Sequence, residues 1–130
     1  MRLSPTKIAD IWRIAGWLGI AAIITLSLVP LQLDMAVDNG DKFGHLASYV
    51  LVTLWLAQLY TELRQRVWLV VGMVALGIAL EFAQHATGYR SFEVADMVAD
   101  ALGVTIGWLL APPRLPNLLS WTEKRITRIF

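Results

Sequence analysis

The chain has 130 residues, of which 57% are hydrophobic and only 16% are charged, with a formal net charge of +1 and no cysteine. So few charges could not cover the apolar surface of a water-soluble domain of this size, and we therefore predict a membrane protein. The absence of cysteine excludes disulfides and thiolate metal sites, although it leaves the compartment undecided. The small net charge gives no reason to expect a nucleic-acid partner.

Four apolar stretches have about the length that a helix needs to cross a bilayer core roughly 30 Å thick, which is roughly 17 to 25 residues. In chain order they cover residues 14–29, 43–60, 67–86 and 94–111. Pro30 follows the first stretch, and Pro112 and Pro113 follow the fourth. Short connections favour antiparallel neighbours. We therefore predict an all-α, polytopic membrane protein whose residues 1–111 form one domain, a four-helix transmembrane bundle.

The first stretch follows basic residues and could also be read as a signal peptide. Its apolar run is long for a signal peptide, and no cleavage site of the A-x-A type follows in "SLVPLQLDMA". We therefore predict that it is a membrane helix.

The positions of Lys and Arg predict the orientation of the bundle. Nine of the eleven lie in the N-terminal segment, the second connection and the C-terminal tail, whereas Lys42 and Arg90 lie near the first and third connections. Because cytoplasmic loops carry the excess of basic residues, we expect a multi-pass protein of the bacterial cytoplasmic (inner) membrane with both termini in the cytoplasm. The first and third connections then face outward.

Residues 112–130 are predicted to be a cytoplasmic tail that forms an amphipathic helix on the inner membrane surface. Lys124 and Arg128 lie on its polar side. The opposite side carries Leu118, Leu119, Thr122, Ile126, Ile129 and Phe130.

Polar side chains fall at the outward ends of three predicted helices, because the second and fourth helices start there and the third ends there. They comprise the i,i+4 pairs Asp41 and His45, Glu81 and His85, and Asp96 and Asp100, together with Lys42, Gln84 and Arg90. Residues spaced i,i+4 share one helix face. Ionisable residues inside spanning segments are functional candidates by default. We therefore predict one shared polar site that faces outward.

The fourth helix also carries Gly103 and Gly107, whose spacing allows close helix approach. These glycines follow Asp96 and Asp100 in one stripe, so the face that carries the carboxylates should also be the packing face.

The candidate site contains more acids than fixed cations. Five acids, including Glu93, face only Lys42 and Arg90, and Glu93 itself is expected to be exposed. A proton, a charged histidine or a bound cation must offset this excess. The metal-ligand candidates are Glu81, His85, Asp96 and Asp100, and the sequence leaves open whether a metal or another cofactor is bound.

The catalytic candidates are His45, Asp41 and Glu81. His45 would act as a general base oriented by Asp41, because histidine is the side chain best suited to change charge near neutral pH.

Three motifs in the chain resemble those of the VanZ-like family. They are "DKFGH" at the start of the second helix, "EFAQ" in the third, and "RSFEVADMVADALGVTIG" leading into the fourth. The resemblance covers about residues 30–111. It departs at Asp100, where the family often has Asn. It implies a small integral membrane protein and assigns the motif positions to one site: Asp41, Lys42, His45, Glu81, Gln84, Arg90, Asp96, Asp100, Gly103 and Gly107.

The resemblance does not imply one activity, although the member that names the family is linked to low-level teicoplanin resistance. Three interpretations remain open. The outward site could bind or modify an envelope lipid, a lipid-linked cell-wall precursor or a glycopeptide antibiotic. The protein could be an integral membrane enzyme, with or without a bound metal, that acts on lipid head groups. It could also be a membrane scaffold. Membrane lipids are the expected partners, and the sequence leaves the oligomeric state undecided.

Overall fold

The structure, a computed structural model, describes residues 4–29, 40–88 and 91–129, except for the side chains of residues 40 and 41. This part of the chain contains five α-helices and no strand, which confirms the all-α class. The helices are α1 (Pro5–Leu28), α2 (Gly40–Ala57), α3 (Leu63–Ala86), α4 (Val94–Leu110) and α5 (Leu118–Ile129).

The first three helices begin earlier than their apolar stretches, and in α1 and α3 polar residues cap the additional first turns. In α1, the Ser4 hydroxyl accepts the Lys7 backbone N–H at 3.4 Å, and Pro5 occupies the first helical position. In α3, a reciprocal capping box joins Glu62 and Gln65. The sequence prediction followed the apolar runs alone and therefore missed these turns.

The second helix ends at Ala57, three residues before the predicted boundary. Arg66, from the first turn of α3, lies across this end. Its Nε donates to the Tyr60 carbonyl at 2.8 Å and its Nη2 to the Ala57 carbonyl at 3.3 Å. A cation at a helix C-terminus interacts favourably with the helix dipole, so Arg66 helps to stop α2 and to fix the turn into α3.

The closest helix pair is α2 with α4, and two glycines make this approach possible. A Cβ atom at Gly103 would lie 2.6 Å from the Leu46 carbonyl oxygen, and one at Gly107 would lie 2.9 Å from the Val50 carbonyl oxygen. The backbone of α4 therefore rests directly on the backbone of α2, as small residues allow between membrane helices.

The first helix joins α2 through a stacked pair of tryptophans. The rings of Trp12 and Trp55 lie 3.9 Å apart at 7°. Each indole N–H donates to the other residue's carbonyl, at 3.2 Å from Trp12 and 2.8 Å from Trp55. The N-terminal half of α1 is thereby held beside the C-terminal half of α2.

Two of the four predicted spans, α1 and α3, are long and apolar enough to cross a membrane by length and composition. The side chains that point away from the bundle are large and apolar. Ile14, Leu18 and Trp68, for example, are exposed by 60% to 66%. Exposed apolar surface of this extent is typical of a membrane or binding surface. The two helices therefore indicate a membrane protein.

The last helix is present and amphipathic, as predicted. At one edge of its apolar side Leu119 is buried, while Leu118 and Ile129 at the other edge are exposed. Gln58 at the end of α2 holds the start of α5: its Oε1 accepts the Leu118 N–H at 2.8 Å, and its carbonyl accepts from Asn117 Nδ2 at 3.2 Å. Phe130 lies outside the described residues.

The glycine contacts predict a stability difference. Replacing Gly103 by Ala puts a methyl group against the α2 backbone, and overpacking of this kind typically costs about 1–3 kcal/mol. We expect Gly103→Ala to lower the midpoint of thermal unfolding in detergent. Gly44→Ala is the control, because no atom lies within 4 Å of its Cβ position and Ala favours a helix by about 1 kcal/mol over Gly. Equal midpoints for the two variants would contradict the packing described for α2 and α4.

Candidate functional site

At the end of the bundle where α2 and α4 begin, His45 lies between two buried aspartates. Its Nδ1 is 2.8 Å from Asp100 Oδ1, and its Nε2 is 4.0 Å from Asp96 Oδ2. Asp96 and Asp100 are each only 2% exposed. The i,i+4 spacing of the aspartates puts both on the α4 face that packs on α2. The close helix pair described above therefore determines this arrangement.

Lys42 makes a second link between the same two helices. Its Nζ lies 2.8 Å from Glu93 Oε2 and 3.6 Å from Asp96 Oδ1. Sequence reasoning set Glu93 aside as exposed, yet its carboxylate takes part in the network. Its position directly before α4 was the available signal, because a residue there projects toward the start of α2. The Lys42–Glu93 pair is partly exposed and is therefore worth little by itself.

Glu81 brings α3 into the site from the other side. Its Oε1 accepts the backbone N–H of Glu93 at 2.7 Å, so it fixes the residue from which α4 starts. Glu81 is 1% exposed, and its Oε2 has no hydrogen-bond partner among the described residues. A buried polar atom without a partner is costly, so this oxygen is a place where a donor from a ligand or water would bind favourably.

A further contact on α3 allows Asp100 to be buried. A Cβ atom at Gly77, one turn before Glu81, would lie 2.9 Å from Asp100 Oδ2. The carboxylate of Asp100 therefore occupies the notch that this glycine leaves, with one oxygen toward His45 and the other toward α3. A larger residue at Gly77 would meet this carboxylate.

The structure places two of the predicted site residues elsewhere. Gln84 is buried, but its Nε2 donates to the Ser27 carbonyl at 3.0 Å and so holds the end of α1. His85 is exposed, and its ring lies edge-on to Phe92, with centroids 6.0 Å apart. No contact in the described part of the chain joins His85 to the aspartates.

Two other predicted site residues are not described. The Arg90 residue and the side chain of Asp41 lie outside the described part of the chain. Of the carboxylates whose side chains are described, Asp100 is the one within hydrogen-bond distance of His45. The orienting role predicted for Asp41 stays a prediction.

The metal candidates do not assemble in this part of the molecule. Within residues 4–29, 40–88 and 91–129, no group of three or more His, Asp or Glu side chains has the arrangement of a metal site. Lys42 instead lies among the acids and offsets part of their charge, and His45 lies within hydrogen-bond distance of Asp100.

Two buried hydroxyl groups below His45 were missed by sequence reasoning. Tyr49 and Thr53 follow His45 at i+4 and i+8, so the three share one face of α2. Both side chains are buried, and neither hydroxyl has a hydrogen-bond partner among the described residues. Their spacing from His45 was the signal that could have found them. The polar face of α2 therefore continues inward from the site.

The network makes a testable prediction about energetic coupling. Removing one partner of a buried pair leaves the other unsatisfied, so neighbouring substitutions are not additive, by about 0.5–3 kcal/mol. We expect a double-mutant cycle of His45→Ala and Asp100→Ala, measured by reversible unfolding in detergent, to give coupling in this range. The same cycle with His85→Ala should be additive, because His85 makes no described contact with Asp100. Coupling that is equal in the two cycles would contradict the geometry of the site.

Comparisons with known proteins agree with the motifs. An uncharacterized protein of Schizosaccharomyces pombe is 31% identical over 98 residues, which cover 70% of this chain and 60% of the relative. The chain thus spans about 60% of the length of the curated relative that it matches. No solved structure matches. The profile of the VanZ/LLP1 family matches residues 3–119, and the chain therefore belongs to the VanZ/LLP1 family.

Proposed function

We propose that the protein is a multi-pass membrane protein that binds the polar head group of an envelope lipid or lipid-linked precursor at its outward end. The observation that carries this proposal is the position of His45 between two buried aspartates where α2 and α4 begin. Buried ionisable groups within a membrane protein are costly, and they are typically retained for function. A head group is the polar ligand that reaches this depth of a bilayer from the side.

The charges of the cluster favour a ligand that donates hydrogen bonds. The described part of the site holds four carboxylates, three of which lie beside Lys42 or His45, and Lys42 lies beside two of these. The unpartnered Oε2 of Glu81 adds an acceptor that requires a donor. Ammonium and hydroxyl groups supply such donors. An amine-bearing or hydroxyl-rich head group therefore fits better than a bare phosphate, and the sugars and amines of a glycopeptide such as teicoplanin have the same chemistry.

An enzyme that acts on head groups is the second candidate, and one contact favours it. A carboxylate hydrogen-bonded to one ring nitrogen of a histidine fixes the ring and supports its action as a general base. Asp100 makes this contact with His45 at 2.8 Å. Nε2 would then take the proton from a water molecule (hydrolysis) or from an acceptor hydroxyl (group transfer) whose oxygen attacks the head-group phosphorus. The phosphorus–oxygen bond to the leaving alcohol would break, and the protonated ring would return the proton to that alcohol. Conversion of a head group by the purified protein, lost in Asp100→Asn, separates this candidate from binding alone.

Binding can be measured with soluble head groups that lack acyl chains. Full-length protein in nanodiscs is titrated with glycerophosphoethanolamine, which carries an amine, and with glycerol phosphate, which does not. We expect saturable binding of the first and at least tenfold weaker binding of the second, which is about 1.4 kcal/mol. His45→Ala and Asp96→Asn should each weaken the first by at least tenfold.

His85→Ala is the matched control, because it removes the other histidine from an exposed position. It should bind as the unsubstituted protein does. If no head group binds, or if His45→Ala lowers stability without changing affinity, the cluster is an interhelical scaffold and the binding proposal is wrong.

We further propose four membrane spans with both termini in the cytoplasm and α5 on the inner surface. The division of basic residues, nine on one side and two on the other, supports this orientation. On α5, the Arg125 guanidinium lies 5.3 Å from the Trp121 ring centroid on an exposed face. Tryptophan and arginine together suit the head-group region of an anionic leaflet.

The lack of cysteine makes this orientation directly testable. Single-cysteine variants at Gly44, Lys7, Arg64 and Lys124 are treated in spheroplasts with a maleimide that does not cross membranes. We expect labelling of Gly44→Cys before permeabilisation and of the other three only after it, because Gly44 alone lies on the outward side. Early labelling of Arg64→Cys together with protection of Gly44→Cys would reverse the proposed orientation.

A further inference from the structure

An apolar cavity lies beside the N-terminal half of α3, away from the polar cluster around His45. It lies between α1, α2 and α3 and has a volume of about 520 Å³, which is within the usual range for ligand pockets, roughly 300–1,000 Å³. Its walls include Trp17 from α1, Leu56 from α2, and Trp68 and Met73 from α3. The cavity exists because α1 is held on α2 by the Trp12–Trp55 stack, while the facing position on α3 is Gly72, which has no atom within 4 Å of its Cβ position.

The cavity is open to the side and follows α3 from its first turn inward. Gln65 and Leu76 mark its two ends on this helix, so it extends about 16 Å at 1.5 Å per residue. Half of a bilayer core is about 15 Å thick. The cavity therefore has the depth of one leaflet, the leaflet that adjoins the connection between α2 and α3. Trp17 and Trp68, both highly exposed, stand at its lateral opening.

The two ends of the cavity differ in chemistry. Its inner end is lined by Met73 and Leu76, whereas Tyr60 and Gln65 lie at the end near the polar connection. The guanidinium of Arg66 lies 2.8 Å from the Tyr60 carbonyl and places a positive charge there. Arg64 stands nearby, exposed and without an ion pair in the described part of the chain. An apolar cavity does not hold water, so in a membrane its occupant is a hydrocarbon chain. The two arginines complement a phosphate at the end of the cavity next to the connection between α2 and α3.

We propose that this cavity binds one acyl chain of an anionic phospholipid, with the phosphate near Arg64 and Arg66. The site is separate from the cluster around His45, because its inner end at Leu76 lies about one and a half helical turns before Glu81 on α3. It provides the chain with a bound lipid in the leaflet opposite the head-group site.

Photochemical labelling tests the proposal on the full chain. The protein is reconstituted into vesicles that contain a phosphatidylglycerol whose acyl chains carry a diazirine. Labelled positions are then mapped by peptide mass spectrometry. Met73 is only 3% exposed, so bulk lipid around the helices should not reach it. We expect labelling at Met73 as well as at Val71 and Ile78, which are exposed to the surrounding lipid. In Gly72→Leu, whose side chain fills the cavity, labelling of Met73 should fall at least tenfold.

Gly44→Leu is the matched control, because Gly44 also has no atom within 4 Å but lies outside the cavity. It should label Met73 normally. Leu76→Phe, which narrows the inner end, is a second filling variant and should reduce labelling of Met73 at least threefold.

Three results would overturn the proposal. Labelling of Val71 and Ile78 without Met73 would mean that no chain enters the cavity. Labelling of Met73 that both filling variants retain would mean that the lipid binds elsewhere. A protein that is dimeric in the vesicles and takes no label at Trp17, Trp68 or Met73 would assign the cavity to a second copy. His45→Ala should leave the labelling unchanged, so failure here is distinguishable from failure of the head-group proposal.

Discussion

The contact between the backbones of α2 and α4 is the constraint on which the remainder of the structure depends. Gly103 and Gly107 allow it, since any larger residue would meet the carbonyls of Leu46 and Val50. Once the two helices lie this close, the aspartates one and two turns before these glycines on α4 are carried into contact with the polar first turns of α2. The location of the polar site therefore follows from backbone packing, and the same face of α4 serves both packing and chemistry.

The burial of two aspartates then determines which side chains lie next to them. Asp96 and Asp100 are almost fully buried, and His45 and Lys42 lie beside them. Such pairs contribute little net stability, because the cost of removing charges from water offsets much of their attraction, yet breaking one is expensive. The fold therefore tolerates the cluster without gaining much from it. This balance is typical of a site kept for function, and it agrees with a ligand that completes the set of hydrogen bonds.

Much of this arrangement could be predicted from the sequence. The apolar runs, the i,i+4 spacing and the alternation of helix direction brought Lys42, His45, Asp96 and Asp100 to one end, where the structure has them. Pairings between side chains could not be predicted, because they depend on helix rotation. Gln84 turns to the α1 carbonyl of Ser27 and His85 turns outward, although both are on the helix that supplies Glu81. The cavity beside Gly72 was also beyond prediction, since it results from how three helices diverge.

The most direct test of the α2–α4 account is nitrogen-15 NMR of the histidine side chains in bilayers. The chain has only two histidines, so His85→Ala leaves a spectrum of His45 alone. The account predicts that Nδ1 of His45 is in a hydrogen bond that exchanges slowly with water. Asp100→Ala and Gly103→Leu should each abolish this signature, whereas Asp10→Asn should preserve it. A His45 ring that exchanges freely with solvent in the unsubstituted protein, or one that is unaffected by Asp100→Ala, would contradict the account.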